Sequence, residues 1–403
     1  MTIPRSRDLR LLAAAAGVSA LGDFLAVFPL ILHVQQRTGS AWAVSALIFA
    51  LWGPVVLGAG VAGAIVDRFE NRSLLVVVSL AQCAVVAAMV PAVDALWALL
   101  PLMALLGFGV AVSQPAEFAL VPAAAGADAD AARANGLMET TRSLGFTAGP
   151  VVGGMLGAAG LLPLALALDA VSFAVVAAAA LALRARRRPE PAGEPVRARE
   201  GFAFLFGERE LAIAIGGAVA ALAVFSISAT AEPFFVTEVL GAGSLAYGVL
   251  LTSWTLGMAA GAAGIARRVP RGALAAGGLA AVVLQGLGIA GAALSPVLWM
   301  ALIGFVFGGL AHGAKNVLLR TLIHERVPDA LRGRAFAAYN GARNGAELGA
   351  LALGGLAVGV LGARAALLVA GLGPALIGIA CLLLLTGSTS TAHRRILHAR
   401  VQG

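Results

Sequence analysis

The chain has 403 residues, of which 60% are hydrophobic and 12% are charged, and its mean hydropathy is +0.94. Soluble globular domains are only about 45–50% apolar. This composition therefore excludes a soluble enzyme or binding domain and indicates an integral membrane protein. A net charge of +8 would suggest nucleic acid binding in a soluble protein, but the basic residues cluster in a way that reports membrane orientation instead.

Twelve apolar stretches follow one another along the chain, each close to the roughly 20 residues that cross the hydrocarbon core as a helix. They cover residues 10–34, 41–66, 73–93, 95–122, 134–160, 162–183, 211–237, 245–266, 272–293, 297–323, 335–361 and 364–386. The first resembles a signal peptide, but it continues past any cleavage site and is interpreted as a retained span. The fold class predicted is an all-α polytopic membrane protein with about twelve transmembrane helices.

Basic residues concentrate in alternate connecting segments, beginning with the N-terminal one. Only Arg37 and Arg364 fall in the intervening segments. Since cytoplasmic segments of membrane proteins are enriched in arginine and lysine, both termini are predicted to lie in the cytoplasm, with the chain in the cell membrane. Cys83 and Cys381 lie inside apolar stretches and are interpreted as packing residues, without a disulfide or metal role.

An Arg-, Pro- and Glu-containing segment divides the spans into two groups of six. The predicted organisation is an N-terminal bundle over 1–183, a cytoplasmic linker over 184–210, a C-terminal bundle over 211–387 and a cytoplasmic tail over 388–403. Residues of the first half recur in the second at a constant offset, which indicates a duplication. The recurring residues are Arg133, Arg142, Gly153 and Gly154, matched by Arg334, Arg343, Gly354 and Gly355.

A packet of charged residues separates the second and third spans. It runs from Gly63, predicted to permit close packing, through Asp67 and Arg68 to Arg72. This pattern resembles the loop between the second and third helices of major facilitator superfamily transporters, roughly GxxxDRxGRR. The chain departs from it at two positions, where Glu70 replaces a glycine and Asn71 replaces a base.

The resemblance implies the major facilitator fold, in which two pseudo-symmetric six-helix bundles are related by an axis along the membrane normal. Thr38-Gly39-Ser40 and the segment 327–334 are similar to loop signatures of exporters that carry macrolides and other drugs. Asp67 has no acidic counterpart in the second half, where Arg267 and Arg268 stand. We therefore expect Asp67 to act as a gate latch that reaches the positive N-terminal end of the eleventh span.

The fifth span contains a GxxxGPxxGG motif. Glycines four residues apart share a helix face and allow a neighbouring backbone to approach, and a proline bends the helix. The motif looks like one found in drug–proton antiporters of the superfamily, which predicts a gating role; the alternative is a common packing motif. Its residues are Gly145, Gly149, Pro150, Gly153 and Gly154.

Charged residues inside spans are costly and are functional candidates by default. Asp23 lies near the middle of the first span and is predicted to bind a proton or a cationic substrate, or else to be capped by local donors. Glu117 and Lys315 occupy equivalent places in spans four and ten. They are predicted to form a salt bridge that closes a cytoplasmic gate, unless each has a separate local partner.

The remaining intramembrane charges have local candidates as partners. Arg142 is expected to pair with Glu139, three residues away, and Arg343 with Glu347, four residues away. Asp169 and Glu232, placed nearer the outer surface, and His312, near Lys315, are further candidates for proton or substrate contact. The family's span-four arginine, often tied to proton coupling, corresponds here to Met103, which leaves Asp23 or Glu117 for that role.

These observations favour a proton-coupled exporter of amphipathic small molecules such as drugs, antibiotics or siderophores. A metabolite importer or facilitator of the same fold is the alternative, and a polytopic membrane enzyme is disfavoured because no constellation of catalytic side chains is present. No GxxxxGK[ST] loop occurs, which excludes direct use of ATP through that motif. The expected partners are a small-molecule substrate, protons and the lipid bilayer, with no cofactor and a monomeric chain.

Overall fold

A computed structural model describes residues 6–126, 130–188 and 198–401, with backbone alone for residues 131–132, 198 and 387–401. Residues 189–197 of the predicted linker, the last two residues of the predicted tail and the basic residue Arg5 lie outside the described residues.

The described residues form fifteen α-helices joined by turns and by short π-helical and 3₁₀ segments, and none of them lies in a β-strand. The helices are α1 Arg7–Thr38, α2 Ala41–Leu57, α3 Ala59–Val66, α4 Asn71–Ala92, α5 Leu96–Ala125, α6 Ala131–Ala158, α7 Leu162–Ala182, α8 Ala198–Gly207, α9 Arg209–Phe225, α10 Ser228–Phe234, α11 Ser244–Ala260, α12 Leu274–Leu294, α13 Leu298–Arg326, α14 Asp329–Leu361 and α15 Ala363–Val401.

Ten helical segments of the described chain are long and apolar enough to cross a membrane, and a bent pair of helices raises the number to eleven. This confirms the prediction of an all-α polytopic membrane protein. Helix α6, the predicted fifth span, has 28 residues but is not among the eleven. Arg142, several hydroxyl side chains and the glycines of its motif lower its hydropathy.

The predicted second span, 41–66, is not one straight helix. It is broken into α2 and α3, whose axes are bent by 53°. The break falls at Gly58, four residues after Pro54, whose carbonyl accepts the Gly58 N–H at 2.9 Å. A Cβ at Gly58 would lie 2.5 Å from that carbonyl oxygen, so this bend requires glycine.

The chain divides into two compact units. Unit 1 contains Met1–Pro195 and Val236–Thr252, and unit 2 contains Val196–Phe235 and Ser253–Gly403. In unit 1, α1 packs on α6 and α7, and α5 packs on α2 and α4. In unit 2, α12 packs on α13 and α15, and α8, which lies within the predicted linker, packs on α14.

The glycines of the GxxxGPxxGG motif place α6 directly against α1. A Cβ at Gly145 would lie 2.6 Å from the carbonyl oxygen of Gly17, and one at Gly153 would lie 2.5 Å from that of Leu25. The predicted close approach of a neighbouring backbone is therefore confirmed. Gly154 faces another direction, towards the start of α11, where its Cβ would lie 2.9 Å from the Ser244 carbonyl oxygen.

Gly63 does not show the close packing predicted for it. A Cβ at this position would meet no atom within 4 Å, because the side of α3 on which Gly63 lies is open in the described structure. The prediction for Gly63 as a packing residue is wrong.

Glu70 and Asn71, the two residues that depart from the family's loop pattern, both make hydrogen bonds that hold the loop. The Glu70 carboxylate caps α4 by accepting the backbone N–H groups of Arg72 at 3.1 Å and Ser73 at 3.0 Å. Asn71 is fully buried; its amide donates to the Val66 carbonyl at 3.3 Å and its oxygen accepts from Arg187 at 3.2 Å. The side chains in this loop thus fix its shape without the usual glycine.

We expect Gly153→Ala to lower the free energy of unfolding by about 1–3 kcal/mol, since the added methyl group overpacks the α1–α6 contact. Gly136→Ala is the matched control on the same helix, because a Cβ at Gly136 would meet nothing within 4 Å. The control should be neutral or stabilising by about 0.5–1 kcal/mol. Thermal unfolding in detergent measures both, and equal midpoints would contradict the packing assigned to Gly153.

Glu70 provides a pH-dependent prediction. Burial raises the pKa of its carboxyl, but hydrogen bonds from Ser73 and Arg72 outweigh this and leave the pKa below its ordinary value of 4.5. The cap therefore stabilises the fold above that ordinary value, and this stabilisation is lost as the pH falls through the lower pKa of the folded state. Glu70→Gln should destabilise at neutral pH by about 1 kcal/mol, and the difference from the unmodified chain should shrink in acid.

Thermal unfolding scans at neutral pH and below pH 4 measure this difference. Glu139→Gln, at an exposed position of α6, removes a carboxylate without removing a cap and serves as the control. A Glu70→Gln penalty of the same size at both pH values would show that the carboxylate charge has no part in the cap.

Candidate functional site

Unit 1 contains a buried ion pair between α5 and α6. Arg142 donates to the Glu117 carboxylate at 3.0 Å, and the two side chains are only 11% and 6% exposed. The guanidinium also lies 5.8 Å from the ring of Phe118 and 5.7 Å from that of Phe146. Glu117 and Arg142 thus neutralise each other within an otherwise apolar environment.

The predicted pairing of Arg142 with Glu139 is wrong. Glu139 is exposed, one turn before Arg142 on the same helix, whereas Arg142 is directed at α5. A buried guanidinium is stabilised by the carboxylate that shares its environment, and Glu117 is that carboxylate.

Asp169 of α7 packs against α1 beside Asp23. It is 1% exposed, and the Ser172 hydroxyl lies 3.3 Å from its carboxylate. A Cβ at Gly22 would lie 2.7 Å from Asp169 Oδ1, so the carboxylate contacts the backbone immediately before Asp23. The charges of Asp23 and Asp169 interact electrostatically.

Asp23 itself is partly buried and lies within electrostatic range of both members of the ion pair, Arg142 and Glu117. Four ionisable groups from four helices of unit 1 are therefore close to one another. We call them the acidic cluster: Asp23 of α1, Glu117 of α5, Arg142 of α6 and Asp169 of α7. It contains three carboxylates and a single cation.

Unit 2 contains a different cluster, built on Lys315 of α13. The Lys315 ammonium donates to the Gln285 carbonyl oxygen of α12 at 2.9 Å, and it lies 3.3 Å from His312 Nδ1. His312 Nδ1 is also 3.1 Å from the same Gln285 oxygen. The His312 ring lies 5.3 Å from Trp254 and 5.9 Å from Phe225.

The structure gives Glu117 and Lys315 separate local partners, which was the alternative to a bridge between them. Glu117 pairs with Arg142 in unit 1, and Lys315 contacts Gln285 and His312 in unit 2. The salt bridge between Glu117 and Lys315 in the outward-facing state stays a prediction.

Of the other predicted site residues, Arg343 lies beside the Lys315 group, whereas Glu232, Asp67 and Arg68 belong to neither cluster. Arg343 and Glu347 pair at 3.9 Å, as predicted. Glu232 of α10 is 7% exposed and accepts a hydrogen bond from the Ser228 side chain. In the loop packet, Asp67 and Arg68 are exposed, and the gate role of Asp67 stays a prediction.

Arg72 of the loop packet closes the end of α7. Its guanidinium donates to the carbonyl oxygens of Ala180 at 2.9 Å and Leu181 at 2.6 Å. This contact ties the start of α4 to the C-terminal end of α7, which is the helix that carries Asp169.

Sequence reasoning missed two partners in the clusters. Gln285 is the sole polar side chain in the predicted span 272–293, a signal that could have marked it. Ser172 follows Asp169 at the spacing of one helical turn, and this local pattern could also have been found. The pairing of Glu117 with Arg142 joins two helices and left no local signal in the sequence.

The chain was compared with known proteins. Residues 12–346 match the family described as Major Facilitator Superfamily. The Bacillus subtilis (strain 168) protein described as "Uncharacterized MFS-type transporter YfiS" is 25% identical, over 98% of this chain and 95% of that protein.

Solved structures share the fold at low identity. A mutant of the nucleoside transporter NupG superimposes with a TM-score of 0.77 at 14% identity, covering 94% of this chain and 99% of that one. A POT family transporter in complex with a thioalcohol-conjugated peptide gives a TM-score of 0.74 at 11% identity, covering 96% and 98%. With the family match over most of its length, the chain belongs to the Major Facilitator Superfamily and is a multi-pass membrane transporter of that type.

Proposed function

We propose that this transporter exports amphipathic small molecules, of drug, antibiotic or siderophore type, by proton antiport with alternating access. The observation that carries the proposal is the acidic cluster of unit 1. Within the membrane-spanning part of the chain, it brings three carboxylates near a single arginine.

The charge balance of the acidic cluster is what favours proton coupling. Arg142 neutralises Glu117 through a direct contact at 3.0 Å, which leaves Asp23 and Asp169 as neighbouring carboxylates that interact with each other. Two like charges in a poorly solvated site repel strongly. Protonation of one carboxylate relieves that repulsion, so the cluster is suited to take up and release a proton as its surroundings change.

The direction of transport is proposed from the motif on α6. The GxxxGPxxGG pattern resembles that of drug–proton antiporters, and its glycines hold α6 against α1, the helix that carries Asp23. A shift of α6 along this tight contact would also move Arg142. Proton binding and helix movement are thereby linked through one helix.

Import of a polar metabolite is the second candidate. The observation in its favour is the hydrogen-bonding group of Lys315, Gln285 and His312 in unit 2, which an apolar substrate would not need. The solved structures of similar fold include a nucleoside transporter and a peptide-bound transporter. A membrane enzyme is the weakest candidate, since the family that matches residues 12–346 is one of transporters.

The proposal includes a setting for the protein. It would act in the cell membrane with both termini in the cytoplasm, as a monomer, with protons and a small molecule as its ligands and no nucleic acid.

Proteoliposomes with an imposed pH gradient test direction and coupling together. At least one compound from a panel of lipophilic cations, macrolides and siderophores should move in the direction opposite to proton flow. Its transport should stop when the proton gradient is collapsed. Asp23→Asn should abolish this coupled flux. Glu139→Gln, at an exposed position of α6, is the control and should retain it. Flux that ignores the gradient for every compound would refute proton antiport.

The Glu117–Arg142 pair can be tested by stability alone. Glu117→Gln leaves Arg142 buried without its hydrogen-bonded counter-ion, and we expect a loss of about 3–5 kcal/mol in the free energy of unfolding. Adding Arg142→Met should recover most of that loss, because it removes the unpaired charge.

A partly exposed ion pair of unit 2 supplies the control for this cycle. Arg343 and Glu347 are 34% and 42% exposed and 3.9 Å apart, so Glu347→Gln should cost no more than about 1 kcal/mol. Denaturant or thermal unfolding in detergent gives all four values. A double variant that is no more stable than Glu117→Gln alone would show that the pair is not the source of the effect.

A further inference from the structure

Lys315 is the only lysine of the chain, and it lies in a buried position of α13 with 4% exposure. Arginine serves every other basic position. An ammonium at such a position needs a compensating partner, because burying an unpaired charge is costly. The residues that surround Lys315 therefore indicate its role.

Lys315 directly contacts one uncharged amide and one other base. Its ammonium contacts the amide oxygen of Gln285 at 2.9 Å and the imidazole of His312 at 3.3 Å. No carboxylate of the described residues lies within 4.0 Å of the Lys315 ammonium. The more distant charges that act on it are Arg343, a second cation, and Glu347, which is itself paired with Arg343 at 3.9 Å.

A pocket opens beside this group within unit 2. Lys315, His312 and Arg343 line it together with Asn316, the Tyr339 side chain and the apolar residue Leu222. The stacked rings of Phe225 and Trp254, 5.3 Å apart, lie against His312. The pocket thus combines two cations, hydrogen-bonding groups and an apolar wall.

We propose that this pocket, the Lys315 pocket, binds the carboxylate of an amphipathic substrate. The Lys315 ammonium and the Arg343 guanidinium would hold the carboxylate, while Ala218, Val219 and Leu222 would contact the apolar body of the molecule. The inference rests on the proposed function and narrows its substrate class from amphipathic molecules in general to amphipathic carboxylic acids.

Gln285 has a specific part in this arrangement. Its amide oxygen orients the Lys315 ammonium by a hydrogen bond but carries no charge, so the ammonium remains available to an incoming anion. A glutamate of nearly the same shape at position 285 would orient Lys315 equally well and would also neutralise it. A comparison of glutamine and glutamate at position 285 therefore tests the effect of the charge while the geometry stays the same.

The single lysine makes a direct measurement possible. Reductive methylation with ¹³C-formaldehyde labels Lys315 and the N-terminal amine and preserves their charges. In lipid nanodiscs, titration with 1-naphthoate should shift the Lys315 methyl signal, whereas the neutral isostere 1-naphthamide should leave it largely unchanged. Equal responses to the two probes, or no response to 1-naphthoate, would overturn the proposal.

Two variants complete the test, with 1-naphthoate affinity measured by quenching of tryptophan fluorescence. Lys315→Met and Gln285→Glu should each weaken 1-naphthoate binding by about tenfold or more. Gln285→Glu should do so without loss of thermal stability, because it adds a counter-ion for Lys315, and it remains informative if Lys315→Met fails to fold. Arg267→Gln, at an exposed position, should bind 1-naphthoate normally. Unchanged affinity in Gln285→Glu would overturn the proposal.

Binding in nanodiscs involves no proton gradient, so its outcome is separate from that of the flux experiment. Lys315-dependent binding without gradient-driven flux would refute proton antiport and leave the Lys315 pocket standing. Gradient-driven flux together with equal binding of 1-naphthoate and 1-naphthamide would support proton antiport and refute the Lys315 pocket.

Discussion

The ion pair between Glu117 and Arg142 is the interaction on which unit 1 depends. It permits the Arg142 guanidinium to be buried beside the rings of Phe118 and Phe146. Once α6 is in place, its glycines fit against α1 and bring Arg142 within electrostatic range of Asp23. Asp169 joins the same region because Gly22 leaves room for its carboxylate. Packing and charge therefore support each other: glycine provides the proximity that the charges need, and the pair removes the cost of burying them.

The two units contain charged clusters of opposite sign. Unit 1 carries the carboxylates of the acidic cluster, whereas unit 2 carries Lys315 and Arg343. The middle helices illustrate this divergence. Gln285 of α12 accepts from Lys315, while Gln82 of α4, at a similar depth in its own helix, is buried with both of its polar side-chain atoms unpaired among the described residues. Unit 1 thus contains an acidic cluster, and unit 2 contains a basic one in addition to the separate buried carboxylate of Glu232.

Much of the fold could be predicted because apolar length alone determines membrane spans, and the charged loops mark their ends. The pairing of Arg343 with Glu347 was also accessible, since both residues belong to one helix. What could not be predicted depends on contacts between distant segments. Arg142 prefers Glu117 of another helix to its near neighbour Glu139, and burial decides that preference. For Gly63 the motif predicted close packing that the structure does not show. A Cβ at this position would meet no atom within 4 Å, and this depends on the packing of α3 against distant segments.

The composition of α6 has a consequence for how the protein is made. On insertion scales an arginine near the middle of a helix disfavours entry into the bilayer by about 2.5–3.5 kcal/mol, and α6 has few strongly apolar residues to offset that cost. Its counter-ion is on α5, the helix synthesised just before it. The two helices would then leave the translocon together as a hairpin, with the charges already matched. A substitution at Glu117 would in that case act during biogenesis, by delaying the entry of α6, before the finished transporter exists.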